Sequence, residues 1–87
     1  MKILWTIITI ICFSIIGVSA QEKDSLFAVG NNLYLQKNYE KAFQIYDGLV
    51  REGFQDPSLW YNFANVCMQK DLPEKALAYY EKALQIH

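Results

Sequence analysis

Beyond residue 20, apolar residues fall on helical spacings four times in succession. Leu26, Val29, Gly30 and Leu33 stand at i, i+3, i+4 and i+7 and predict a helix from about Ser25 to Gln36. Lys37-Asn38 makes a turn, and Asn38 suits the cap of a second helix, Tyr39 to about Glu52. Ala42, Ile45, Tyr46, Leu49 and Val50 form its inward side. Gly53 suits the left-handed residue that often ends a helix, which leaves Phe54 free to fold back. Asp56-Pro57 opens a third helix, with an acceptor side chain at the cap and then a residue whose missing N–H costs nothing there. Trp60, Phe63, Ala64 and Cys67 are its stripe, and Lys70-Asp71-Leu72 is the next turn. Pro73 falls in the opening turn of a fourth helix, where Asp71 and Glu74 have the spacing of a capping box. That helix carries Ala76, Tyr79, Tyr80, Ala83 and Leu84 inward.

The four stripes are two copies of one pattern. Leu26/Trp60, Val29/Phe63, Gly30/Ala64, Leu33/Cys67, Ala42/Ala76 and Tyr46/Tyr80 all share one offset, the interval from position 26 to position 60. Glu40-Lys41-Ala42 returns as Glu74-Lys75-Ala76, and Asn31 returns as Asn65. Self-similarity at this period marks a helix–turn–helix unit that buries apolar surface by stacking on its neighbour. The expected fold is all-α: two tandem units, residues 21–54 and 55–87, forming a piece of an α-solenoid. Small residues at Gly30 and Ala64, and at Ala42 and Ala76, let paired helices approach, while Tyr46, Trp60 and Tyr80 fill the space around the crossings.

The first twenty residues read differently. Lys2 precedes an apolar run from Ile3 to Ile16, followed by Gly17 and the small-residue sequence Val18-Ser19-Ala20. This is the form of an export signal helix cleaved between Ala20 and Gln21. An uncleaved anchor, and with it a membrane association, is the alternative, although the run falls short of the ~20 residues that span a bilayer. The expected location is the periplasm or cell envelope of a bacterium. Cys12 is an ordinary apolar member of the signal, so Cys67 is the one mature cysteine, without a partner for an intramolecular disulfide. Its place on an apolar stripe suggests a small buried hydrophobe.

The formal net charge is −1, with acidic and basic residues interspersed. That disfavours nucleic acid or an anionic membrane surface as a partner. His87 is the single histidine, and no Ser/His/Asp set, metal-ligand spacing or phosphate-cradling glycine loop appears. No enzyme activity, cofactor, metal or small-molecule substrate is therefore expected. Glu40 and Glu74 suit the positive ends of their helices, and Lys41 and Lys75 read as solvated neighbours.

Both units resemble the tetratricopeptide repeat. The second carries Trp60, Phe63-Ala64, Ala76, Tyr80 and Ala83 at the family spacing, whereas the first has Leu26 for the Trp and Leu49 for the usual Ala. A signal peptide, one degenerate repeat, the joint Gly53-Phe54-Gln55-Asp56-Pro57 and then Leu59-Trp60-Tyr61-Asn62 is similar to tetratricopeptide proteins of the Bacteroides-aerotolerance operons. The resemblance implies a scaffold for a protein or peptide partner. It also implies a Pro just after the fourth helix and a closing helix, so the chain reads as an N-terminal fragment of a longer product.

In that family the first helices of successive units line a concave groove. Carrying those positions over selects Phe27, Asn31 and Tyr34 from the first helix and Tyr61, Asn65 and Met68 from the third. The alternative is structural: Asn62 and Asn65 as interhelical hydrogen-bonders, with Tyr61 and Met68 packed on a further unit. Some relatives clamp a C-terminal carboxylate with a Lys one turn before the first groove Asn, where this chain has Phe27. With two units instead of the usual three or so, Tyr79, Leu84 and Ile86 are expected to be exposed, leading to self-association or poor stability.

Overall fold

The computed structural model describes residues 19–85; residues 1–18, which carry nearly all of the expected signal, and residues 86–87, which include Ile86, lie outside the described residues. The described chain consists of four helices, α1 (Ala20–Leu35), α2 (Tyr39–Arg51), α3 (Pro57–Gln69) and α4 (Pro73–Gln85). Each pair, α1 with α2 and α3 with α4, is joined by a tight turn that sends the second helix back along the first. α3 also packs against α2 and touches α1. It is thus the one helix among those described that contacts all three others.

All three connections begin with the same hydrogen-bonded motif. After α1, Lys37 N–H donates to the Tyr34 carbonyl and Asn38 N–H to the Leu33 carbonyl. After α2, Gly53 donates to Val50 and Phe54 to Leu49; after α3, Asp71 donates to Met68 and Leu72 to Cys67. Each helix so satisfies carbonyls that its own ladder leaves free. The motif requires a left-handed residue, and Lys37 (φ 63°), Gly53 (φ 82°) and Asp71 (φ 61°) supply it. Lys37 and Asp71 stand one repeat period apart, so the repeat persists in the backbone where the side chains have diverged.

This geometry corrects two expected caps. Asp71 is spent as the left-handed residue ending α3, so it cannot cap α4 and no capping box with Glu74 forms. Asn38 immediately precedes α2, but its side chain makes no capping hydrogen bond. The carbonyls of Asn38 and Leu72 accept the first intrahelical bonds, from Ala42 and Ala76, both at 3.0 Å. Asp56 behaves as expected, accepting from Ser58 N–H at 2.7 Å with Pro57 behind it. α1 begins at Ala20 rather than near Ser25, because the Ser19 hydroxyl accepts from Glu22 N–H at 3.1 Å and no helix breaker follows. The expected cleavage point between Ala20 and Gln21 therefore falls in the first turn of α1. At the other end of the first pair, the Lys23 ammonium donates to the Glu52 carbonyl at 2.8 Å, a cation at the negative end of α2.

The core comprises Ala42, Tyr46, Leu49, Leu59, Trp60, Phe63, Ala64, Val66, Cys67 and Ala76. Most of these belong to α3. Phe63 stands at the centre: it stacks on Tyr79 at 4.4 Å between ring centroids and meets Phe43 and Tyr46 at 5.2 and 5.9 Å. Tyr79 is accordingly half-buried in the core, as its place on the inward stripe of α4 implies and against its expected exposure, whereas Leu84 of the same stripe is 71% exposed because no described helix covers it. Val29, the counterpart of Phe63, is 46% exposed. The reason is positional: α3 inserts between α2 and α4, and α1 has no described helix on its other side. Leu59 and Val66, absent from the expected stripe, are fully buried by that same double coverage.

Gly30 and Tyr46 fit as the small-residue pattern suggests. A Cβ on Gly30 would lie 2.8 Å from Tyr46 Cε1 and 3.1 Å from Ile45 Cγ2. Leu26 and Trp60 occupy matching places within their pairs. Leu26 borders a cleft with Ile45, Gly48 and Leu49, while Trp60 meets Tyr79 at 5.4 Å and the Lys82 ammonium at 5.2 Å. Ile45/Tyr79 and Gly48/Lys82 are again one period apart. Leu26 is only half-buried, since a smaller side chain lies against smaller neighbours.

Candidate functional site

The residues expected to line a groove divide according to what already occupies them. Phe27 is committed to the fold: its ring lies 5.2 Å from Phe54 and 6.3 Å from Tyr46. The left-handed Gly53 turns Phe54 back onto α1, which is how Phe27 acquires that neighbour. Asn31 is also engaged, accepting from the Tyr46 hydroxyl at 2.6 Å and from the Asn62 amide at 3.1 Å. This bifurcated acceptor ties α1 to α2 and to α3. Asn65 accepts in the same way from the Tyr80 hydroxyl. Asn62 and Asn65 thus make interhelical hydrogen bonds, as the structural alternative for them expects.

Tyr61 and Met68 remain open, 55% and 52% exposed on α3. The Tyr61 ring leans on Tyr80 at 5.8 Å, and Tyr34 leans on Tyr39 at 6.2 Å. Asn31, Pro57, Tyr61, Asn62, Tyr80 and Leu84 border an open cleft of about 650 Å³. Its involvement of Leu84 was not legible in the sequence, because it depends on the end of α4 returning beside the start of α3.

The electrostatics are those of a neutral, protonated cluster. Burial pushes the Tyr46 phenol up to about 12, opposed by the Asn62 amide and assisted by Tyr34. Tyr80 is raised by burial, then by the neighbouring Tyr61 and Tyr34 phenols. Both hydroxyls consequently remain donors to their asparagines at neutral pH. Burial likewise pushes the Cys67 thiol up, against the attraction of Lys75 and Lys70 for its thiolate. That keeps it a poor nucleophile. The Trp60 indole N–H is buried and finds no acceptor among the described residues; Gln55, Lys82 and Gln85 surround it at a small slot.

Among the described residues no helix is long and apolar enough to cross a membrane, and no group of three His, Cys, Asp or Glu side chains is placed to hold a metal ion. The Lys70 ammonium bridges α3 to α2 by pairing with Glu40 and lies 4.9 Å from the Phe43 ring centroid. The arrangement offers aromatic, thioether and amide contacts on a rigid helical face, which is chemistry for holding another molecule.

No curated protein and no solved structure matches the chain. The tetratricopeptide repeat family model matches residues 57–87, so the segment that contains α3 and α4 is similar to one such repeat.

Proposed function

We propose that the chain is an exported scaffold that holds a partner protein in a cell-envelope complex, using the face that carries Tyr34, Tyr61, Asn65 and Met68. A tetratricopeptide repeat suggests a protein–protein interaction scaffold. The observation that carries the reading here is the exposure of Tyr61 and Met68 on the helix most firmly held by its neighbours. A backbone already held by its neighbours loses little entropy when a partner arrives, which favours affinity. Export rests on the apolar run Ile3–Ile16 and on Val18-Ser19-Ala20, and the aerotolerance association on the Gly53–Pro57 joint followed by Leu59-Trp60-Tyr61-Asn62.

The test is site-specific photo-crosslinking from position 61 in envelope preparations of the source cell. One discrete adduct is expected, lost on Met68→Ala while helicity is retained. Adducts indifferent to Met68 would sink the reading. Mass spectrometry of the secreted chain should show Gln21 as its N-terminus; an intact Met1 terminus in the membrane fraction would replace cleavage with anchoring.

A second reading, a structural segment with no binding of its own, is favoured by one observation. Asn31 and Asn65 both spend their side-chain oxygens inside the fold. Absence of any adduct from position 61 would select it.

A further inference from the structure

Trp60 buries a polar atom that the fold leaves unused. The residue is 5% exposed, and its indole N–H, a donor and never an acceptor, has no partner among the described residues. Such a donor carries a desolvation cost until an acceptor reaches it. Beside it lies a slot of about 130 Å³ bordered by Gln55, Trp60, Lys82 and Gln85. That is several times the space one water needs and too little for a helix or strand. The Lys82 ammonium stands 5.2 Å from the indole centroid and has no ion pair among the described residues. None of the four bordering residues is acidic, and the three around Trp60 are exposed, so the walls can part to admit a guest. The slot is not the seat of a further helix. One repeat period earlier its counterpart is the cleft of Leu26, Ile45 and Gly48, which stays open although α3 is in place. There Leu26 and Gly48 stand for Trp60 and Lys82 and offer no side-chain donor.

We propose that this slot binds a carboxylate. One oxygen accepts from the Trp60 N–H and the other pairs with the Lys82 ammonium, while Gln55 and Gln85 turn their amide N–H groups towards it. The two oxygens of a carboxylate accept separately, which suits two donors a few ångströms apart. One cation matches one negative charge, and this favours a carboxylate over a phosphate dianion. The carboxylate belongs either to a free small acid or to an acidic side chain of a partner. The site shares no residue with the face that carries Tyr61 and Met68 and stands independently of that reading.

The test is a heteronuclear NMR titration of the full chain with acetate and, in parallel, with glutamate blocked at both ends, each replacing chloride at constant ionic strength. Trp60→Phe identifies the Trp60 indole signal against that of Trp5. That signal should move downfield and saturate. Lys82→Met, which keeps an apolar stem against the ring, should weaken binding about tenfold or more, and Lys82→Arg should retain most of it. Tighter binding of the blocked glutamate assigns the slot to an acidic partner segment, and tighter binding of acetate to a free acid. An indole signal that stays in place, a drift that never saturates, or a response that Lys82→Met leaves unchanged would each overturn the proposal.

Discussion

Tyr46 donates its hydroxyl to Asn31 at 2.6 Å, joining the two helices of the first pair, and one period later Tyr80 does the same to Asn65. Neither asparagine is buried apolar surface, and neither tyrosine is a purely apolar filler. Each pair of helices is therefore fastened in register by a polar clasp beside its crossing.

The clasp sets the response to alkali. Tyr46 is raised from 10.0 to about 12 in the folded state, so folding favours its protonated form. That stability is fully present below the unfolded value and is lost as pH rises through the folded one. Unfolding free energy should be insensitive to Tyr46 below pH 10 and decline between pH 10 and about 12. Tyr46→Phe should flatten part of that decline while costing about 1 kcal/mol at neutral pH through the lost hydrogen bond. Urea titrations across the pH range measure both effects.

Gly30→Ala should destabilise the chain although alanine is the better helix former. The added methyl meets the fully buried Tyr46 ring at 2.8 Å. Overpacking costs about 1–3 kcal/mol, against a propensity gain of about 1 kcal/mol. A lower urea midpoint with an unchanged slope is expected; a raised midpoint would show that the ring moves freely.

Lys37→Gly should stabilise. A left-handed backbone costs a non-glycine residue about 1–2 kcal/mol, and the extra unfolded-chain freedom of glycine offsets up to about 1 kcal/mol of the relief. The net gain should be roughly 0.5–1 kcal/mol. Asp71→Gly should give less, because Asp tolerates this conformation better than Lys. Thermal melts of the two variants rank them directly.

Trp60→Ala should cost about 3–5 kcal/mol, removing the contacts with Tyr79 and the Lys82 ammonium. Leu26→Ala, at the half-buried counterpart, should cost less. Equal losses at the two positions would contradict the difference in their surroundings.

The helices and their period were legible because spacing alone carries them: Leu33 and Cys67, or Ala42 and Ala76, need no tertiary information to be paired. The caps were less so. Asp71 looks like an N-cap in sequence, but the same residue was claimed by the end of α3, and local pattern cannot decide between two neighbouring helices. Val29 was misplaced for a different reason. Periodicity says which side of a helix is apolar, whereas the presence of something to cover that side is a matter of layer order. Among the groove candidates, Asn31 has residue chemistry that suits either a ligand or a neighbour, and only the position of Tyr46 distinguishes them.

The interior position of α3 grades the mechanical robustness of the whole chain. Peeling α1 away uncovers one side of Tyr46 together with Phe27, Gly30 and the clasp at Asn31, but extracting α3 removes most of the buried core and dismantles both halves at once. Amide protons of Leu59–Cys67 should therefore exchange slowest, and the Cys67 thiol should be labelled only as fast as the molecule opens globally.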